Sequence, residues 1–246
     1  MSLRPVYTRL LKKSVRALGA GALIVLFGLL AWKAGKEALS RGYLESAYFE
    51  LERSAAPGPL AQQEQWLRAM QYLTDSLRYA PDNAWTLEEM GAHNLRRQRG
   101  RSDGKLPMAG ISGANVNFHM ALLQRPTSPV AWANLALTKH YLGEIDAQLF
   151  EALRRADELG PWEFEVQQMV LFISLANWGK LDAAQRTAAV RTLERAMQKN
   201  AEKVAKLMQS FNRLDLLCGI KSDKPKLQEL CSRPRKSTAE PNSRAR

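Results

Sequence analysis

The chain has 246 residues, 46% of them hydrophobic, and a formal net charge of +12, which is enough length and apolar material for a sizeable core with appendages. The charge is not the footprint of a nucleic-acid binder, because segments 1–16, 96–105 and 221–246 together carry more than the whole excess. The rest of the body is slightly acidic, and a basic groove that follows phosphates is excluded.

Residues 1–16 carry Arg4, Arg9, Lys12, Lys13 and Arg16 and no acid, and residues 17–32, ALGAGALIVLFGLLAW, carry no charge at all. Such a run falls just short of the roughly 17–25 residues that span a bilayer, and snorkelling of Arg16, Lys33 and Lys36 extends it. Residues 17–36 therefore read as a transmembrane anchor. The run is apolar all round, unlike a core helix with one wet face. It also lacks the small-x-small site of a cleaved signal, since Trp32, Lys33 and Lys36 occupy those places. After the span the bases are mixed with Glu37 and Glu45, so the N-terminus should stay in the cytoplasm. In a bacterial inner membrane the helical domain, 37–220, would then face the periplasm.

Beyond the anchor every periodic segment reads as helix. Residues 34–53 continue the first helix until APGP breaks it. Residues 62–79 carry Trp66, Met70, Leu73 and Leu77 at three- and four-residue steps. After the PDN turn, 85–96 is expected to pair antiparallel with that helix, turning Leu87, Met90 and Gly91 inward. The stretch 97–115, RQRGRSDGKLPMAGISGAN, is basic and glycine-rich without periodicity and reads as a flexible loop. Helical pattern returns at 116–124, 130–141 and 146–159, separated by RPTSP and LGEI. The segment 163–178 is strongly apolar, with Pro161 at a tolerated first-turn position and Glu163 and Glu165 suited to the helix dipole. Asp182 and Gln185 form a capping-box pair for a last helix reaching about 213. Residues 221–246 form a basic C-terminal loop and a tail of disordered composition.

Two cysteines, Cys218 and Cys231, flank the polar loop CGIKSDKPKLQELC. A disulfide there suits an oxidising compartment, and two unrelated thiols are the alternative. Neither a C-x-x-C motif nor a zinc-like Cys/His cluster is present.

Helix breakers and tryptophans recur together in YAPDNAWTLEEMG and RPTSPVAWANLAL. Proline closes one helix, tryptophan docks between helices, and a small residue permits close approach. The pattern resembles tetratricopeptide repeats, with Trp132, Leu135 and Ala136 on one helix, Ala152 and Ala156 on the next, and Pro161 closing the unit. Trp85 opens a more degenerate upstream copy. That resemblance implies an all-α fold, a transmembrane helix followed by a stack of helical hairpins in an α-solenoid, with Trp85, Trp132, Pro161 and Trp162 as packing residues. The ordered blocks RPTSPVAWANLAL, LGEIDAQLFEALRRA and LGPWEFEVQ behind an N-terminal anchor also resemble the VpsP family of small single-pass membrane proteins of bacterial exopolysaccharide clusters. This second resemblance implies a role in assembling or exporting a polysaccharide and implies no catalytic residue.

Catalytic chemistry finds little support in the residues. The three histidines, His93, His119 and His140, form no HExxH, no metal-ligand spacing and no partnership with a phosphate loop. Glu89 and His93 share a helix face, while Glu144 with Asp146 and Glu163 with Glu165 sit beside turns. Carboxylates two apart on a helix diverge, so these read as turn and cap residues rather than a glycosidase pair. Aligning Trp85 with Trp132 places His93 and His140 at one repeat position, near Asn83, Thr86, Ala133, Leu137 and Lys139. Asn83, Thr86, His93, Lys139 and His140 are the candidate partner-binding surface.

The expected protein is a non-enzymatic, membrane-anchored scaffold without cofactor or metal, whose partners are proteins of an envelope polysaccharide assembly. An adaptor for secretion, quality control or division is the first alternative. An enzyme, or a module binding anionic glycan through the basic loop and the tryptophans, is the second, and weak contact of that loop with anionic glycan or lipid headgroups is compatible with either scaffold reading.

Overall fold

The computed structural model is all-α and describes residues 4–53, 58–99 and 108–220, with positions 228 and 231. The parts of the expected basic loop and C-terminal tail at 100–107, 221–227, 229–230 and 232–246 lie outside the described residues, as do 1–3 and 54–57. The chain divides into two compact units, Met1–Arg125 and Pro126–Arg246. The division falls at a proline, which disfavours helical backbone in the residue before it.

In the first unit α1 (Arg4–Glu52), α2 (Pro59–Tyr79), α3 (Ala84–Arg99) and α4 (Met108–Gln124) follow one another. The expected anchor and the first body helix are one unbroken helix, α1. Leu18, Phe27 and Trp32 along its first half are 74%, 66% and 71% exposed. From Ser40 onward the same helix buries every third or fourth residue, namely Ser40, Leu44, Ala47 and Glu50, the spacing of a stripe facing one neighbour. That neighbour is α2, whose Leu73 joins Leu44 and Ala47 in a core flanked by Tyr48, Tyr72 and Met90.

The hairpins are α1 with α2 and α3 with α4, so the α2–α3 pair expected from sequence is the lesser contact. Beside the packing of Met90 against the cluster that holds Leu73, a polar network joins α2 to α3. The buried hydroxyl of Ser76 lies 2.9 Å from that of Ser40 and 2.8 Å from that of Thr86, and Asn83 Nδ2 donates to Ser40 Oγ at 3.0 Å. Helix α4 starts at Met108, where the sequence pattern suggests loop up to 115. Its glycines and serine lower intrinsic helix preference, but Ile111, Ala114, Phe118 and Ala121 are fully buried, and that packing outweighs propensity.

In the second unit α5 (Pro129–Leu142) pairs with α6 (Ala147–Leu159), and α7 (Phe164–Ala176) pairs with α8 (Ala183–Ser210). The short α9 (Leu214–Cys218) packs on α8. Local chemistry sets these boundaries. Ser128 Oγ accepts from Ala131 N–H at 3.2 Å with Pro129 in the first turn. Gly143 takes a left-handed φ of 75° to end α5. Asp146 Oδ1 accepts from Leu149 N–H at 3.0 Å, and the Asp182–Gln185 capping box opens α8. Helix α8 stops short of the expected 213 and is interrupted by Asn200 at φ −151°, ψ 82°. Leu171, Leu175, Leu193, Met197, Val204, Met208 and Leu217 make the core of the α7–α8–α9 part. The helix pairing of both units is that of a helical-repeat arrangement.

Candidate functional site

The residues expected to form a binding surface are mostly interior. Thr86 and His93 are 0% and 1% exposed in the first unit, Lys139 is 4% exposed in the second, and Ala133 and Leu137 beside Lys139 are equally buried. Asn83 is the N-cap of α3, its Oδ1 accepting from the backbone N–H groups of Trp85 and Thr86 at 3.1 and 3.3 Å. His93 stacks on Trp66 with ring centroids 4.8 Å apart. Lys139 Nζ reaches out to Glu144 and Asp146 at 2.9 and 3.0 Å. Burial alone would depress the Lys139 pKa, and the hydrogen bonds to these two carboxylates overcome it and raise it. Glu144 and Asp146, read from sequence as turn and cap residues, thus hold a lysine and start a helix. Repeat position brought these residues together on paper, but the same position is also where a helix faces its neighbours.

His140 is partly buried, with Nδ1 3.0 Å from Asn177 Nδ2 and its ring edge-on to Phe172 at 5.8 Å between centroids. The Asn177 amide also donates to Ile173 O at 2.8 Å, so the histidine nitrogen is the acceptor. Burial lowers the His140 pKa, and the charge of Lys180 lowers it further. A histidine whose folded pKa lies below its unfolded value, about 6.5, contributes stability that is present above that pH. The contribution is lost as pH falls through the folded pKa. The melting temperature should therefore drop between pH 7.5 and 5, and His140→Gln should reduce that drop.

Two of the four repeat-packing residues do not pack as expected. Trp85 and Trp162 are 54% and 58% exposed, Trp85 lying beneath the Arg125 guanidinium at 3.4 Å, while Arg125 grips Glu88 through two contacts of 2.6 and 2.7 Å. Trp132 is half-buried and donates through Nε1 to Pro126 O at 2.8 Å. Pro161 stands in the turn before α7 rather than in its first turn, and its carbonyl accepts from Gln167 Nε2. Glu163 is the N-cap of α7 and only Glu165 lies in the first turn. Close approach comes instead from glycine. A Cβ at Gly160 would lie 2.7 Å from Pro129 Cβ, and one at Gly91 would lie 2.8 Å from Phe118 Cζ.

Two of the expected surface residues, Asn83 and His93, line concave features of the first unit. In the first unit a cavity of about 610 Å³ opens among the end of α1, the start of α2 and α3, and it holds Glu50, Trp66, Glu89 and His93. A neighbouring one of about 490 Å³ is lined by Glu37, Glu45, Asp82 and Trp85, and Tyr48 lines both. Arg96 pairs with Glu89, and Arg68 with Glu50 at 3.3 Å. Burial, then the fields of Glu89, Glu45 and Glu88, push the Tyr48 phenol above its ordinary range. In the second unit a groove of about 550 Å³ between α6 and α8 has an apolar floor that includes Phe150, Leu153 and Val170. The sequence expectation of a binding surface at Asn83 and His93 thus falls on the two first-unit cavities, while the α6–α8 groove carried no signal in the sequence.

Cys218 and Cys231 are joined by a disulfide with Cα atoms 5.6 Å apart. Among the described residues no group of three or more His, Cys, Asp or Glu side chains is placed to hold a metal ion. No protein-family model matches the chain, and no curated protein matches it.

Proposed function

We propose that this protein is a single-pass membrane adaptor. In this reading the first half of α1 crosses a bacterial inner membrane from a cytoplasmic N-terminus. Tetratricopeptide-like hairpins in the periplasm then hold the protein components of an envelope polysaccharide machine, without catalysis of their own. The observation that carries the reading is α1 itself. Among the described residues one helix is long and apolar enough to cross a membrane, and no residue of its apolar window is buried, yet its continuation packs as the first helix of a folded unit. Exposed side chains such as Leu23, Ile24, Val25, Leu26 and Phe27 form a contiguous apolar surface of the kind that lipid covers. The polysaccharide assignment rests on the resemblance of the three sequence blocks to the VpsP family.

Leu26→Arg places a charge mid-span at a cost of about 3 kcal/mol of insertion free energy. It is expected to shift much of the protein from the alkali-resistant membrane fraction to the extract, whereas Glu158→Arg on α6 leaves it in the membrane. Equal extraction of Leu26→Arg and the unmodified chain would remove the anchor from the reading. Crosslinking in intact membranes tests the rest. Recovery of glycosyltransferases or polymer-export proteins supports the polysaccharide role, and recovery of secretion or division proteins replaces it.

A further inference from the structure

We infer that the groove between α1 and α3 in the first unit is a docking site for an extended lysine- or arginine-rich segment of a partner protein. The inference deepens the adaptor reading and rests on it, by naming the chemistry of what is held.

The two cavities of the first unit, about 610 and 490 Å³, meet at Tyr48; α1 and α3 line both, and α2 adds Gln62, Gln65 and Trp66 to the larger. On α1 the lining positions Glu37, Arg41, Glu45, Tyr48 and Glu52 recur at three- and four-residue steps, which places them in one row. At 1.5 Å per residue that row is about 22 Å long, the length of roughly seven extended residues. A single ammonium compound fills one cavity, whereas a peptide fills both.

Six carboxylates line the two cavities against Arg41, Arg53 and Arg96, so the balance is acidic. Glu50 and Glu89, deep in the groove, are neutralised by Arg68 and Arg96. Glu37, Glu45 and Asp82, nearer the far end, enter no salt bridge among the described residues. Their charge is available to a ligand. The carboxylates that line the groove outnumber its arginines, and charge complementarity of this kind selects partners and speeds encounter. The aromatic side chains match the same occupant. Trp66, Tyr48 and Trp85 all face the groove, and aromatic faces take both the aliphatic stems and the cationic heads of lysine and arginine. Burial raises the Tyr48 phenol pKa most, and the charges of Glu89 and Glu45 beside the point where the two cavities meet raise it further.

The test uses the full chain in phosphatidylcholine nanodiscs and a fluorescent, end-blocked peptide alternating lysine and serine over about eight residues, followed by anisotropy. Saturable binding is expected, weakening as salt rises, with no binding of the glutamate–serine counterpart. The triple variant Glu37→Gln, Glu45→Gln, Asp82→Asn should bind the lysine peptide about tenfold more weakly with an unchanged helical melting curve, while Glu158→Gln on α6 should bind it normally. Unchanged affinity in the triple variant overturns the inference, as does equal binding of the acidic peptide. Full displacement of the peptide by spermidine at equal concentration also overturns it, assigning the groove to a small cation. Alkaline extraction reads anchoring independently, so a failure of docking and a failure of the membrane reading are told apart.

Discussion

Replacing Phe118 by alanine is expected to lower the stability of the first unit by about 3–5 kcal/mol, the cost of deleting a buried aromatic side chain and leaving a cavity. Phe118 is 0% exposed, and its ring lies flat against the one position on α3 that has no side chain. A Cβ at Gly91 would stand 2.8, 2.9 and 3.0 Å from Phe118 Cζ, Cε1 and Cε2. Alanine at Gly91 gains about 1 kcal/mol of helix propensity but forces a rigid ring to move, at about 1–3 kcal/mol. The net effect should be destabilisation. Because the two residues touch, the double variant Gly91→Ala/Phe118→Leu should be more stable than the sum of its parts. Denaturant unfolding gives the free energies, and hydrogen exchange over α3 and α4 shows where the loss falls. A Gly91→Ala protein more stable than the parent would mean that the Phe118 ring does not limit the approach of α3 to α4.

Breaking the Cys218–Cys231 link carries the second large effect. The two residues are 13 apart in sequence, and closing a loop of that length removes about 3 kcal/mol of chain entropy from the unfolded state. Cys218 ends α9, one residue after the fully buried Leu217, which packs in the core with Val204 and Met208. Cys218→Ser is expected to destabilise the second unit by about that amount, with Cys231→Ser matching it and the double variant adding nothing. Reductant should reproduce the loss in the parent and leave the variants unchanged. Identical thermal unfolding of the second unit with and without reductant would show that the link constrains nothing that matters to stability.

How far sequence reading reached depended on the range of the interactions involved. Ser128 with Pro129, Asp146, and Asp182 with Gln185 act within four residues of themselves, and each begins a helix where its pattern indicates. The start of α4 was illegible for the opposite reason. Met108 to Asn115 is poor in helix formers, and what makes it helical is the burial of Ile111 and Ala114, with Phe118 after them, in the α3–α4 pair. Trp85 and Trp162 were misjudged because a tryptophan at a repeat position looks like core, yet Trp85 is capped by an arginine from 40 positions along the chain, Arg125. His93 and Lys139 show the converse, polar residues that are buried. Polarity suggested a surface, but ring stacking on Trp66 and the two carboxylates at the end of the lysine stem let both be buried.

The sequence by itself determined the all-α class, the apolar first half of α1, the basic segments at both termini, and most helix boundaries, because periodicity, charge and capping are written in neighbouring residues. Only the tertiary structure decided that the chain makes two units, that α1 pairs with α2 and α3 with α4, and that Gly91 is where α3 meets a ring. It also brought Glu37, Glu45 and Tyr48 on α1 near Asp82, Trp85 and Glu89, from 34 to 52 positions apart, around two cavities that share Tyr48. Such placements follow from which apolar faces bury each other, and the pattern of a single helix does not specify its partner.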